Sequence, residues 1–193
     1  MSNSIPPFPA DIDRNAFGHW FSGLTDGEGC FYAKTVGIHS PEVGYVLALR
    51  ADDRPAIELI QSFFQCGTVR LYDNARRGNR KPTAKFLVAR AKHLRDIIVP
   101  HFERFPLRAK KSRDFVVWKE IVALFCDVVS RPWRSRGSRD GFFSKWSASE
   151  LERYSELVLL LKSQRSYTCD SSAVRPSGQA ILPEPTLFDG DLT

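Results

Sequence analysis

The residue whose setting most favours chemistry is Glu28, in the pentapeptide Thr25-Asp26-Gly27-Glu28-Gly29. It stands where a helical pattern gives way to an alternating one, and the two flanking glycines leave the backbone free to turn tightly. A carboxylate so placed projects past the helix end. Hard cations such as Mg²⁺ bind through one or two carboxylates, with a backbone carbonyl, waters and phosphate oxygens completing the shell. The same pentapeptide also reads as an ordinary turn with an exposed acid, and these residues alone leave both readings open. Other catalytic signatures are missing: there is no G-x-S-x-G, Walker loop or H-E-x-x-H, and His19, His39, His93 and His101 form no cluster. Cys30, Cys66, Cys126 and Cys169 lie far apart, with no C-x-x-C pair and no His at zinc spacing. That pattern reads as reduced cysteines of an intracellular protein rather than a zinc site.

The elements that must position Glu28 follow from apolar spacing. Phe17, Trp20, Phe21 and Leu24 recur at i, i+3, i+4 and i+7, an amphipathic helix that the pentapeptide is expected to break. In the strand that follows, Phe31, Ala33 and Thr35 share one face, and Cys30, Tyr32, Lys34 and Val36 the other. A second strand, 43–50, puts Val43, Tyr45, Leu47 and Leu49 on its apolar face. Asp52-Asp53-Arg54-Pro55 marks a helix start, with Ile57, Ile60 and Phe64 inward and Gly67 past its end. Strands at 68–72 and 85–89 flank a basic loop. A short helix over 91–99 is expected to stop before Pro100, and a long one follows from Ser112. Ser147-x-x-Glu150 is a capping box opening a last helix, with Leu151, Tyr154, Val158 and Leu161 inward. The order helix, strand, strand, helix, strand, strand, helix, then two more helices, predicts an α+β domain whose antiparallel sheet has one face on the helices. The domain is expected over 13–164. Residues 1–12 read as an arm, and the Ser/Pro/Gly-rich stretch 165–193 as a disordered tail.

Charge narrows the partner. The 193 residues carry 28 Lys and Arg against 22 Asp and Glu, a net of +6. Residues 1–165 hold 27 of those basic residues and 18 of those acids, a net of +9. Basic residues cluster at 76–81, 108–113 and 131–139, which points to a polyanion. The free face of the sheet is expected to carry Tyr32, Lys34, Arg50, Arg70, Tyr72 and Lys85, an inventory suited to lying in a DNA groove. The longest apolar runs, 121–125 and 157–161, are too short to span a bilayer, and no secretory signal opens the chain. No membrane partner is expected, and the location reads as cytoplasmic, or organellar if organelle-encoded.

Residues 21–29, FSGLTDGEG, resemble the motif that names the LAGLIDADG homing endonucleases, departing from it at Phe21, Ser22, Thr25, Gly27 and Glu28. Glu28 keeps the carboxylate of the eighth position. The resemblance extends over about residues 16–125: Arg50-Ala-Asp-Asp-Arg-Pro55 before a helix, Phe64-Gln-Cys-Gly67 before a strand, and Pro100-His-Phe, Pro106-Leu, Lys110 and Phe115-x-x-Trp118 downstream.

The resemblance implies a saddle-shaped αββαββα fold and a Mg²⁺-dependent endonuclease leaving short 3′ overhangs at a long, pseudo-palindromic site in double-stranded DNA. A single motif implies a homodimer, with Phe21, Ser22, Gly23, Thr25 and Asp26 at the interface. Glu28 and the Gly27 carbonyl would hold the metal. Lys110 would be the assisting basic residue, with Arg108 and Lys111 as alternatives, and Arg50 the group orienting water. Tyr32, Lys34, Arg50, Arg70, Tyr72 and Lys85, with Arg76, Arg77, Arg80 and Lys81 of the basic loop, would contact DNA. The alternative on the same scaffold is an RNA maturase acting on an intron, or a DNA-binding protein that does not cut.

Overall fold

A computed structural model describes residues 4–36, 40–73, 81–132 and 145–165. Helix α1 (Arg14–Glu28) leads directly into strand β1 (Gly29–Val36), and β2 (Ser40–Arg50) returns beside it. A 3-10 turn (Ala51–Asp53) and α2 (Arg54–Phe64) follow, then β3 (Thr68–Tyr72) and β4 (Thr83–Val88). The four strands form one antiparallel sheet in the order β1-β2-β4-β3. The chain continues through α3 (Ala91–His93), a π-helical turn (Leu94–Ile98), α4 (Val99–Arg104), α5 (Lys111–Ser130) and α6 (Ala148–Ser163).

Period-two alternation sorts the strands. Phe31, Tyr45, Leu47, Ala84 and Phe86 are fully buried and point onto the helices, as does every second residue of a half-covered sheet. Rings carry much of this core: Phe31 packs on Trp118 and Phe102, Phe21 on Tyr45, and Phe64 on Phe86. Each such side chain contributes roughly 1.5–3 kcal/mol by leaving water. Polar bonds tie the helices to the sheet. The Trp118 indole N–H is shared between the carbonyls of Tyr32 (3.2 Å) and Gly44 (3.1 Å), and the Tyr154 hydroxyl donates to the Glu42 carbonyl at 2.6 Å. The capping box on α6 has both its bonds, Glu150 N–H to Ser147 Oγ and Ser147 N–H to Glu150.

Three expectations need correction. The pentapeptide does not break α1: Gly27 is helical, and the chain changes direction only at Gly29. The helical run from Ala91 does not stop before Pro100. Val99 N–H reaches back five residues to the Leu94 carbonyl, and this wider turn lets a proline without an N–H follow in helical register. Residues 4–12 are not a free arm. Phe8 packs edge-on against Phe17 and Phe63 at 5.0 and 5.2 Å, Ile12 joins the core, and the Pro6 carbonyl accepts a bond from Gln65. The expected tail lies outside the described residues beyond Arg165. Cys66 and Cys126 are buried and Cys30 is half-buried. Among the described residues no helix is long and apolar enough to cross a membrane.

Candidate functional site

The position of Glu28 is fixed from several directions at once. Gly29 is extended (ψ 158°), and its N–H closes on the Thr25 carbonyl. A Cβ there would meet Thr25 Cγ2 at 2.5 Å and the Thr25 carbonyl oxygen at 2.9 Å, so only glycine lets the strand begin directly under the helix end. Thr25 Oγ1 and the Tyr45 hydroxyl are 2.7 Å apart and fully buried, which pins the last turn of α1 to β2. Burial holds the Tyr45 phenol far above its usual range, so it stays protonated. One carboxylate oxygen of Asp26 accepts the N–H groups of Arg108 (2.8 Å) and Ala109 (3.1 Å), fastening the approach to α5 onto α1. The other, Oδ1, is buried without a hydrogen-bond partner among the described residues.

That fastening brings in a cation. Lys111 Nζ donates to the carbonyls of Asp26 (2.8 Å) and Gly27 (3.0 Å), at the negative end of the α1 dipole. Beside it the Glu28 side chain is exposed, and no hydrogen bond or ion pair joins it to a described residue. A carboxylate at a helix C-terminus is electrostatically misplaced unless a cation offsets it. Lys110 lines a neighbouring cleft of about 760 Å³ whose wall also includes Asp26, Cys30, Lys111, Arg113 and Arg165. The structure bonds Lys111 to the Glu28 turn, and Lys110 lines the cleft that Asp26 and Gly29 of the same turn share. No group of three or more His, Cys, Asp or Glu residues is assembled among the described residues. What α1 offers a divalent cation is a pair of hard oxygen donors, the Glu28 carboxylate and the Gly27 carbonyl. This set fits Mg²⁺, which needs few protein ligands where phosphate and water supply the rest.

The strand register places Tyr32, Lys34, Arg50, Arg70, Tyr72 and Lys85 on one face of the sheet, away from the helices. Its charge is not uniform. Lys34 pairs with Glu42, its cross-strand neighbour, at 3.1 Å, and Arg50 is gripped by Asp52 through two bonds, the longer 3.1 Å. Arg50 is thus turned toward Asp52, whose carboxyl the guanidinium holds below the usual range. Unpaired positive charge gathers on the β3–β4 half, where Arg70 and Lys85 are direct cross-strand neighbours. Lys85 Nζ lies 4.5 Å from the Tyr72 ring centroid, a cation–π contact. Burial raises the Tyr32 phenol above its usual range, which keeps it a donor. Lys81 is described; Arg76, Arg77, Arg80 and the 133–139 part of the third basic cluster lie outside the described residues.

The expected interface face of α1 is corrected. Phe21, Ser22 and Thr25 are buried against the chain's own core, and Ser22 Oγ donates to the Phe105 carbonyl at 2.7 Å. Asp26 is occupied with Arg108 and Ala109. Of the five residues expected at a dimer interface, only Gly23 faces outward, together with exposed Trp20, half-buried Leu24 and Gly27. A Cβ added at Gly23 or Gly27 would meet nothing within 4 Å.

Comparison with known proteins bears on this arrangement. The sequence profile of the LAGLIDADG endonuclease family matches residues 21–122, just over half of the chain. A Neurospora crassa protein described as probable intron-encoded endonuclease 2 is 29% identical over 136 residues, which cover 66% of this chain and 28% of that protein. Among solved structures, the LAGLIDADG homing endonuclease I-GzeII in complex with a DNA target superposes with a TM-score of 0.61 at 16% identity, covering 77% of this chain and 44% of that one. I-SmaMI bound to cleaved DNA gives 0.60 at 17% identity, covering 83% and 48%. The homing endonuclease I-TnaI gives 0.55 at 20%, covering 80% of this chain and 96% of that one. The chain thus spans under a third of the Neurospora relative and under half of the first two structures. At these identities the structural likeness establishes the fold. Profile and fold agree with the geometry at the end of α1, and the chain belongs to the LAGLIDADG endonuclease family.

Proposed function

We propose that the protein is a Mg²⁺-dependent, site-specific endonuclease for double-stranded DNA that acts as a homodimer. The observation that carries this reading is the exposed Glu28 carboxylate, without a bonded partner among the described residues, on a turn fixed by hydrogen bonds of Thr25, Asp26, Gly27 and Gly29. One chain offers one such carboxylate, and cutting two strands calls for two. The outward face of α1, with Trp20, Gly23, Leu24 and Gly27, is apolar and small enough for two helices to approach closely. A two-fold contact there would bring two Glu28 side chains together.

When bound by Glu28 and the Gly27 carbonyl, Mg²⁺ supplies a hydroxide-forming site for water and neutralises charge on the leaving oxygen. The chain's own groups do the positioning. Lys111 adds fixed positive charge where phosphate charge develops. Tyr32, Arg70, Tyr72 and Lys85 present donors, rings and cations to the duplex, with Lys81 at the start of β4's approach. Arg50 and Lys34 meet DNA only by exchanging Asp52 and Glu42 for phosphate or base edges, which favours them as readers of sequence rather than sources of bulk affinity.

The test is cleavage of fragmented genomic DNA by wild type and Glu28→Gln, each with Mg²⁺ and with EDTA. Discrete, pseudo-palindromic breaks are expected only with both Glu28 and Mg²⁺. Cutting that survives in Glu28→Gln refutes the metal-ligand assignment. Tight duplex binding with no cutting under any condition returns the reading to a binding protein or intron maturase.

A further inference from the structure

The free edge of the sheet carries a feature that the outer-face reading leaves unused. A groove of about 430 Å³ opens where the turn between α2 and β3 meets the junction of β4 with α3. Gln65 (φ 51°) and Gly67 (φ 79°) bend the chain sharply there. A Cβ on Gly67 would meet Phe86 Cε2 at 2.5 Å, so the turn cannot relax outward by gaining a side chain.

Arg70, Arg90 and His93 line this groove, and no acidic side chain does. None of the three side chains makes a hydrogen bond or salt bridge with a described residue. Asp96, whose field reaches His93, is itself held by Arg95 at 2.7 Å. Several exposed cations elsewhere are paired: Lys34 with Glu42, Arg54 with Glu58, Arg153 with Glu120 and Glu156. Arg70 and Arg90 are thus cations without an acidic partner among the described residues, and such charges around a concave site attract an anion. The rest of the lining includes the apolar Leu87 and Ala89 and the hydroxyl of Thr68. A lining that combines two arginines with apolar residues and a threonine suits a phosphate joined to a sugar better than a bare inorganic anion. Arg70 belongs both to the groove and to the outer face, so the two surfaces are continuous.

We infer that this groove holds the sugar–phosphate backbone of bound duplex DNA as it passes the free edge of the sheet, with Arg90 and His93 as phosphate contacts beyond the sheet's outer face. The inference rests on the duplex-binding reading above. These contacts carry no sequence information, and they lengthen the footprint and fix its register.

The experiment uses the full chain and a fluorescein-labelled duplex, followed by anisotropy between 50 and 200 mM salt. Each lost phosphate contact makes the slope of log K against log salt shallower by about 0.9. Arg90→Gln is expected to show that change and to weaken binding severalfold at the low-salt end, while Arg153→Gln on α6 behaves as wild type. The His93 ring signals report the site directly by NMR, shifting on addition of duplex. Unchanged slope and affinity in Arg90→Gln, with binding weakened in Lys85→Gln, overturns the groove and leaves the duplex reading standing. No duplex binding by wild type overturns both. Full movement of the His93 signals with millimolar inorganic phosphate alone makes the groove a free-anion site and overturns the backbone assignment.

Discussion

Four glycines on or beside α1 divide into two pairs with opposite expected behaviour, and the division tests the proposed dimer. A Cβ on Gly23 or Gly27 would meet nothing within 4 Å in the single chain. Both lie in helical backbone, where alanine is favoured over glycine by about 0.8–1 kcal/mol per position. Gly23→Ala with Gly27→Ala is therefore expected to stabilise the monomer by about 1.5–2 kcal/mol, a rise in Tm of roughly 3–8 °C for a chain of this size. In a two-fold helix pair the same substitutions place four methyl groups into a contact built on bare backbone. Overpacking of that kind costs about 1–3 kcal/mol, so the dimer Kd should rise by roughly 5- to 150-fold. Gly18 and Gly29 behave oppositely: a Cβ would meet the Phe105 ring at 2.7 Å or the Thr25 carbonyl oxygen at 2.9 Å, and alanine at either should destabilise by about 1–3 kcal/mol. Sedimentation velocity across a concentration series gives the dimer constant. Thermal scans at concentrations below it give monomer stability. A double variant that dimerises as tightly as wild type refutes the assigned face of α1. A double variant that melts below wild type as a monomer refutes the claim that this face is open.

Two further outcomes concern residues beneath and beside the site. Burial first, then Arg104 and His19, holds His101 down to about 3 from an ordinary 6.5, so it is neutral in the folded chain. Below pH 6.5 the unfolded chain takes up a proton that the folded chain refuses. The His101 contribution is therefore intact above 6.5 and lost as pH falls toward 3, by up to about 1.4 kcal/mol per unit. Urea midpoints at pH 7 and pH 5 should differ less in His101→Phe than in wild type, and equal differences would exclude the mechanism. For the cation at the Glu28 turn, Lys111→Gln should lower the rate of single-turnover cleavage by about 10²-fold or more, and Lys110→Gln by much less. The opposite order would return that role to Lys110.

What could be read from the sequence follows the range of the interactions involved. Strand faces were legible because Phe31, Tyr45, Leu47 and Phe86 answer to one core and must alternate. The Ser147–Glu150 box was legible because both its bonds close within one turn. The Lys34–Glu42 pair depends on a hairpin register that puts the two residues opposite each other, which residue type alone does not fix. Two contacts were out of reach. Asp26 binds N–H groups 82 and 83 residues away, and that attachment brings the start of α5 to α1, where Lys111 bonds its last carbonyls. The passage of helix through Pro100 depends on a π-turn whose hydrogen bonds leave no mark in residue type.

The dimer face shows how an apolar pattern can be correct and still be assigned to the wrong neighbour. Phe17, Trp20, Phe21 and Leu24 satisfy a helical period and span about 100° of arc, yet the chain's own core covers only part of it. Phe17 and Phe21 are buried in the chain, while Trp20 stays 44% exposed and Leu24 half-buried on the side that carries Gly23. A helix apolar on two sides needs two partners. Its own sheet and α4 take the first side, through Tyr45, Phe102 and the Ser22 bond to Phe105. Small residues then identify the second: Ser22 is small because the core presses on it, whereas Gly23 and Gly27 are small where the chain itself offers nothing to avoid. A glycine with no intrachain reason in the middle of a helix lowers the stability of that helix, and a close approach by another backbone is the physical role that can offset the loss. The same close approach would set the separation of the two Glu28 carboxylates, which sit one residue beyond the last of those glycines.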